Sequence, residues 1–336
     1  AVVSTSTPYP NSSAGNVVIA TSPSGTPSAN FSSLYANATY YFFTAAINRS
    51  GSPTAYVALG STVTALDAPV TVVSTFTAVA AGSMTVAWGA NNNIGDTLYE
   101  ATLSTENAFP NADAGNVTVS TRLPAAVIGS LVGNTTYYLG VRAIARDGLA
   151  SAYVTLGSSV TLAFAPATAA ATFTVVNTSS MIIRWLANGN AVNVTTYTVV
   201  LTTGATYPNS FAGNVPLSTA PAGALPMATV TGLGVNTTYY LFVNAINRSG
   251  LSTAFTALGA TATLASPPAT AASTFTVVDT NAMSLTWSTN GNPVDVTSYT
   301  VVLTTGFSYP NAFSGNVLIS TVAGSALPTA TLTGLL

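Results

Sequence analysis

Few side chains in this sequence can do chemistry, and each can be weighed in turn. The chain has no His and no Cys, which removes the imidazole base, the Ser-His-Asp triad and the thiolate nucleophile or metal ligand. Its six cations are all arginine (Arg49, Arg122, Arg142, Arg146, Arg184 and Arg248). A Schiff-base lysine and a phosphate-binding P-loop lysine are therefore absent as well. Eight carboxylates remain. Two of them facing each other across a cleft could hydrolyse a glycoside, and the one concentration is Asp96, Glu100, Glu106 and Asp113. One period further along, the matching positions include Thr198, Gly204 and Phe211. The carboxylates thus decorate one copy of a shared scaffold and read as solvated surface. The loop Asn290 to Asp295 gathers oxygen groups of the kind a hard cation accepts. It holds one carboxylate, and its counterpart Asn188 to Asn193 holds none, so turns closed by Asx side chains are the expected use. No catalytic, cofactor-binding or metal-ligating residue is assigned, and the chain is not expected to be an enzyme.

Positioning follows from a repeat, which four signatures mark in constant order. An aromatic-Pro-Asn motif recurs at Tyr9-Pro10-Asn11, Phe109-Pro110-Asn111, Tyr207-Pro208-Asn209 and Tyr309-Pro310-Asn311, with Pro-to-Pro spacings of 100, 98 and 102 residues. A strand ending in Trp recurs at Trp88, Trp185 and Trp287. Asn-x-Thr-Tyr-Tyr recurs at Asn37, Asn134 and Asn236, and a Pro-bearing linker followed by Thr-Phe-Thr begins at Pro69, Pro166 and Pro268. A fixed period of this length marks a tandem array. Boundaries at the Ala/Pro linkers give a partial repeat at 1–67, full repeats at 68–164 and 165–266, and a partial repeat at 267–336.

Apolar residues alternate with period two, as in Met181, Ile183 and Trp185 against Ile182 and Arg184, and Asn-Gly or Asp-Gly turns separate the runs. No window shows helical periodicity. The expectation is all-β, a two-sheet sandwich per repeat. The pattern resembles the fibronectin type III family. It has a Trp closing the second strand, an inward Tyr on the third (Tyr99, Tyr197, Tyr299), a Leu before the sixth (Leu131, Leu233), and then Thr-Tyr with alternating apolar positions leading to Ala-x-x-x-x-Gly. The resemblance spans the chain and implies immunoglobulin-like sandwiches in tandem, with Tyr40, Tyr137 and Tyr239 making the tyrosine corner. The segment Thr202 to Ala228 is longer than the family's usual link and is expected to add a hairpin.

The surface is the other anomaly. Charged residues make up 4% of the chain, against roughly 25% in an ordinary soluble protein. A net charge of −2 is too small to steer nucleic acid. No apolar run reaches the ~18 residues of a membrane span. A surface so poor in charge offers little repulsion against self-association, so copies of the chain itself, or covering glycans, are the expected partners. Asn-x-Ser/Thr acceptor sites lie at Asn11, Asn30, Asn37, Asn48, Asn116, Asn134, Asn177, Asn193, Asn236 and Asn247, a modest excess over what composition gives. Tyr41, Phe43, Tyr138, Tyr240 and Phe242 alternate with inward residues and so point outward, open to sugar or protein unless the inserted segment covers them. The partial end repeats are expected to be completed by a continuing chain or by donated strands. Together these readings point to a structural segment of an extracellular or cell-surface fibre. The alternative is an adhesin or carbohydrate-binding spacer.

Overall fold

The computed structural model describes all residues except 22–25, 220–222, 224, 314–315, 323–326 and 336. The chain forms two compact units, Ala1–Leu162 and Ala163–Leu336. No helix among the described residues is long and apolar enough to cross a membrane.

In the first unit, β1 (Val2–Ser4), β2 (Val17–Val18), β3 (Thr39–Thr44) and β4 (Val57–Val63) make one antiparallel sheet in the order β2-β1-β3-β4. The next repeat contributes β5 (Phe76–Val79), β6 (Met84–Ala87), β7 (Leu98–Ser104), β8 (Val117–Thr121), β9 (Ala125–Ile128), β10 (Thr136–Ile144) and β11 (Val154–Val160). These divide into a three-stranded sheet, β5-β6-β9, and a four-stranded sheet, β11-β10-β7-β8.

The second unit repeats the plan with β12 (Ala167–Val176), β13 (Ser180–Leu186), β14 (Thr196–Thr202), β15 (Val215–Thr219), β16 (Met227–Thr231), β17 (Thr238–Ile246) and β18 (Thr256–Ala262). Its sheets are β12-β13-β16 and β15-β14-β17-β18. After them come β19 (Ala269–Val278), β20 (Ala282–Ser288), β21 (Ser298–Leu303), β22 (Val317–Val322) and β23 (Thr329–Thr333), in a three-stranded sheet β19-β20-β23 and a pair β21-β22.

Each sandwich closes because alternation places one apolar row per strand between the sheets. Met181, Ile183 and Trp185 of β13 face Tyr197, Val199 and Leu201 of β14 and Leu241 and Val243 of β17 in a single buried cluster. The second repeat builds the same cluster from Met84, Val86 and Trp88 with Tyr99, Leu103, Leu139 and Val141. The Trp and the inward Tyr meet edge to face at 5.7, 5.4 and 5.6 Å in successive repeats, a geometry aromatic quadrupoles favour. The sheet β2-β1-β3-β4 has no three-stranded partner among the described residues. Leu59 on β4 is accordingly 67% exposed, while its counterparts Leu156 and Leu258 are 4% and 3% exposed.

Two details refine the sequence reading. The hydroxyls of Tyr40, Tyr137 and Tyr239 each accept the backbone N–H five residues upstream, from Tyr35, Val132 and Gly234, at 2.9–3.0 Å. That is the expected tyrosine corner. Among the described residues the segment Thr202 to Ala228 adds no hairpin beyond the one it makes with β14. It supplies β15, which pairs with β14, and the long connection between them folds back on the sheet face.

Candidate functional site at the inter-repeat junctions

The linkers are held by carboxamides. Asn93, in the loop leading into β7, donates from Nδ2 to the Asp67 carbonyl (2.7 Å) and the Ala90 carbonyl (2.9 Å), and its Oδ1 accepts the Asp67 N–H (3.0 Å). Asn190 repeats this on Phe164 at 2.8 and 2.7 Å, and Asn292 on Ser266 at 2.8 and 2.8 Å. One planar amide thus satisfies both the donor and the acceptor of one linker residue, as a β-ladder partner would. Two residues earlier, Asn91, Asn188 and Asn290 donate to the carbonyls of Ala68, Ala165 and Pro267. All three adopt left-handed backbone, with φ between 53° and 58°, a region Asn tolerates better than other residues with a Cβ. The Asx-rich loop Asn290 to Asp295 is therefore occupied by its own linker. Among the described residues no group of three or more acidic, His or Cys side chains could hold a metal.

The upstream side of each linker is tied to the repeat it leaves. Thr64, Thr161 and Thr263 donate from Oγ1 to the carbonyls of Tyr35, Val132 and Gly234 at 2.6–2.8 Å. Within the first unit, contact also crosses the linker directly. Asn37 Nδ2 donates to Thr97 Oγ1 at 3.0 Å, and its Oδ1 accepts the Arg146 N–H at 3.3 Å. Ala36 pairs with Asn93 in a parallel bridge. Ile94 packs against the cluster of Val3, Ala38 and Tyr40, and Leu66 packs into the next core. In the second unit Asn236 Nδ2 donates to Thr297 Oγ1 at 2.8 Å. Apolar plugs and paired amides on both sides leave the first linker little freedom.

Each complete repeat pairs a three-stranded sheet of its first, second and fifth strands with a four-stranded sheet of the others, joined at a tyrosine corner. Each complete repeat has the fibronectin type III fold. No protein-family model and no curated protein matches the chain. Solved structures do. The FN1–FN3 domains of chicken CNTN1 align over 77% of this chain and 86% of their own, at 12% identity and a TM-score of 0.30. A two-domain fibronectin type III segment of chicken tenascin aligns over 59% of this chain and 100% of its own, at 14% identity and a TM-score of 0.36.

On the three four-stranded sheets the aromatic-Pro-Asn loop lies across the outer face. Tyr9 stacks on Phe43 at 5.6 Å and meets Tyr56 edge-on at 4.7 Å. Tyr207 does the same with Phe242 and Phe255 at 5.8 and 4.7 Å. Phe43 and Phe242 do project outward, but beneath their own loops they are buried. Tyr41, Tyr138 and Tyr240 stay partly exposed. The second repeat has Gly140 where the others have Phe, and the Phe109 ring fills that space. A Cβ at Gly140 would lie 2.6 Å from it. The loop itself is held by Asn11, Asn111, Asn209 and Asn311, whose Oδ1 atoms accept the N–H two residues on at 3.0–3.1 Å.

Asp96, Glu100, Glu106 and Asp113 of the second repeat do not converge on one another. Glu100 on β7 pairs with Arg142 at 2.9 Å and accepts the Tyr153 hydroxyl, while the Arg142 guanidinium lies 4.7 Å over the Tyr153 ring. Burial pushes the Glu100 carboxyl up, but the bonds from Tyr153 and Arg142 and the Arg142 charge outweigh it, so its pKa falls below the ordinary 4.5. Asp113 sits in the loop and accepts from Thr105, Gly115 and Ser104, which lowers its pKa too. Asp96 pairs with Arg146 at the junction, and Glu106 is exposed.

The acceptor asparagines are sorted by the fold. Asn37, Asn134 and Asn247 are buried at 1%, 0% and 4% exposure. Asn11, Asn116 and Asn236 have their amide nitrogens bonded within loops or junctions. Asn30, Asn48, Asn177 and Asn193 are exposed. The junction amides were open to sequence reading only as Asx-rich loops. Their recurrence in every repeat was visible, and their linker partners were not.

Proposed function

We propose that the chain is a structural segment of an extracellular or cell-surface fibre, in which tandem fibronectin-type repeats act as a stiff spacer. The array either continues as a longer polypeptide or associates with copies of itself. The observation that carries this reading is the clamp made by Asn93, Asn190 and Asn292, which holds the same linker position by the same atoms in each repeat. Holding linkers in this way has value where the direction of succession matters, because loose linkers connect domains equally well. A chain without His, Cys or Lys supports a role outside catalysis. Negative-stain imaging of the native material tests it. Extended particles or fibres with a repeat-length periodicity are expected, and isolated compact particles would refute it.

A second reading, an adhesin or carbohydrate-binding spacer, draws on one cleft in the first unit. It has a volume of about 410 Å³ and is lined by Tyr35, Tyr41, Thr39, Ser13 and Arg146. Aromatic faces beside hydroxyls suit neutral sugars, and Tyr35 is matched by Val132 and Gly234 in the other repeats. Titration with neutral oligosaccharides, with and without Tyr35→Gly, separates the readings. Saturable binding lost in the variant favours the adhesin.

A further inference from the structure

The ten Asn-x-Ser/Thr sites differ in what folding does to the nitrogen that a glycan would need. Asn11 Nδ2 donates to the Pro8 and Ser6 carbonyls at 2.8 and 3.1 Å. Asn116 Nδ2 donates to Asn111 Oδ1 at 2.7 Å, and Asn236, half-buried at its junction, donates from Nδ2 to Thr297 Oγ1 at 2.8 Å. Asn37, Asn134 and Asn247 lie inside the protein. A sugar on any of these six would have to open a loop, a strand turn or a junction and break the hydrogen bonds made there.

The remaining four present their amides to solvent. Asn177, in the turn between β12 and β13, uses one N–H on Ser180 Oγ at 3.1 Å and keeps the other. The amide nitrogens of Asn30, Asn48 and Asn193 make no hydrogen bond among the described residues. At Asn48 the Ser50 hydroxyl, the second group of the acceptor motif, donates to Asn48 Oδ1 at 2.7 Å. Asn30 matches Val127 on β9 and Thr229 on β16, both exposed on the outer face of the three-stranded sheet, so a sugar there would point away from the core. These positions lie on a surface that charge does little to solubilise, since 6 cations and 8 anions serve 336 residues. A hydrated polymer would supply the repulsion that charge usually provides.

We propose that this chain carries N-linked glycans, and only at positions drawn from Asn30, Asn48, Asn177 and Asn193. In the step, Nδ2 forms a bond to the anomeric carbon of a saccharide activated as a lipid diphosphate. The carbon–oxygen bond to the diphosphate breaks, the diphosphate leaves, and the nitrogen gives up one proton. The inference rests on the extracellular placement proposed above. Native protein is digested and treated with a glycan-releasing amidase in H₂¹⁸O, which converts each occupied Asn to ¹⁸O-labelled Asp. Label at one or more of the four, with none at the other six, is the expected result. Label at any of the six, or none anywhere, overturns the proposal. Protease treatment of intact cells before lysis keeps the two readings apart. A protected chain sinks the placement, and an accessible but unlabelled chain sinks the glycan proposal alone.

Discussion

Replacing Asn93 by Ala tests the clamp most directly. The substitution removes three hydrogen bonds of 2.7–3.0 Å at a position that is 8% exposed. Two of them bind the linker residue Asp67; at roughly 0.5–1.5 kcal/mol each their loss is about 1–3 kcal/mol, and 1.4 kcal/mol is about tenfold in an equilibrium. The ratio of clamped to released linker should therefore fall roughly 5- to 150-fold. The chain has no cysteine, so spin labels can be placed cleanly at Ser61→Cys on β4 and Ser120→Cys on β8, both exposed and on opposite sides of the first linker. Pulsed dipolar spectroscopy should give a narrow distance distribution in the parent and a broad one in Asn93→Ala. Asn93→Asp keeps the acceptor for the Asp67 N–H but turns both donor contacts into repulsions, and it should broaden the distribution as well. Equal widths in all three proteins would refute the claim that the amide sets the joint.

Three further outcomes follow from single contacts. Tyr239→Phe deletes the acceptor of the Gly234 N–H and should destabilise the third repeat by about 1–3 kcal/mol in urea titrations. Gly140→Ala places a Cβ 2.6 Å from the Phe109 ring. It should cost about 1–3 kcal/mol and raise proteolytic cleavage between residues 105 and 116. The Glu100 carboxyl has a folded pKa below its ordinary 4.5, so its contribution is complete above that value and lost as pH falls through the folded one. Asp113 acts with the same sign. Thermal melts should show the second repeat weakening below about pH 4.5, and Glu100→Gln should flatten part of that slope.

The sandwiches were legible because their determinants are periodic and local. Trp185, Tyr197 and Leu241 alternate with polar neighbours, and each falls in the core. The corner tyrosines were legible through a motif, and their partners lie only five residues away. The joint was harder to see. Asn93 binds backbone 26 residues upstream, and a backbone amide or carbonyl has no residue type to betray it. Phe43 and Phe242, which alternation turns outward, lie under their own loops, because cover depends on the path of a loop and alternation reports only the strand. Gly140 shows the same limit from the other side. Its meaning lies in the Phe109 ring above it, thirty-one residues away in the sequence.

Where the repeats agree and where they differ bears on what the chain is for. On the sheet face, Glu100, Arg142 and Tyr153 of the second repeat are replaced by Thr198, Asn244 and Phe255 in the third. An ion pair with a cation–π contact thus gives way to packed rings. Both arrangements fill the space beneath the aromatic-Pro-Asn loop. A packing surface tolerates such exchange as long as volume is kept, whereas a recognition surface shared by the repeats would keep its chemistry. At the joints the linker residue changes, from Asp67 to Phe164 to Ser266, but the amide that binds its backbone does not. Asp at position 93, 190 or 292 would lose the donor, and Gln would carry the amide one methylene too far to meet both linker groups. Only Asn offers donor and acceptor at that reach, and Asn stands there in every repeat. Alongside the tyrosine corner and the loop asparagine, the copies thus hold in common the way each enters from the linker before it, a feature that serves an array whatever its faces carry.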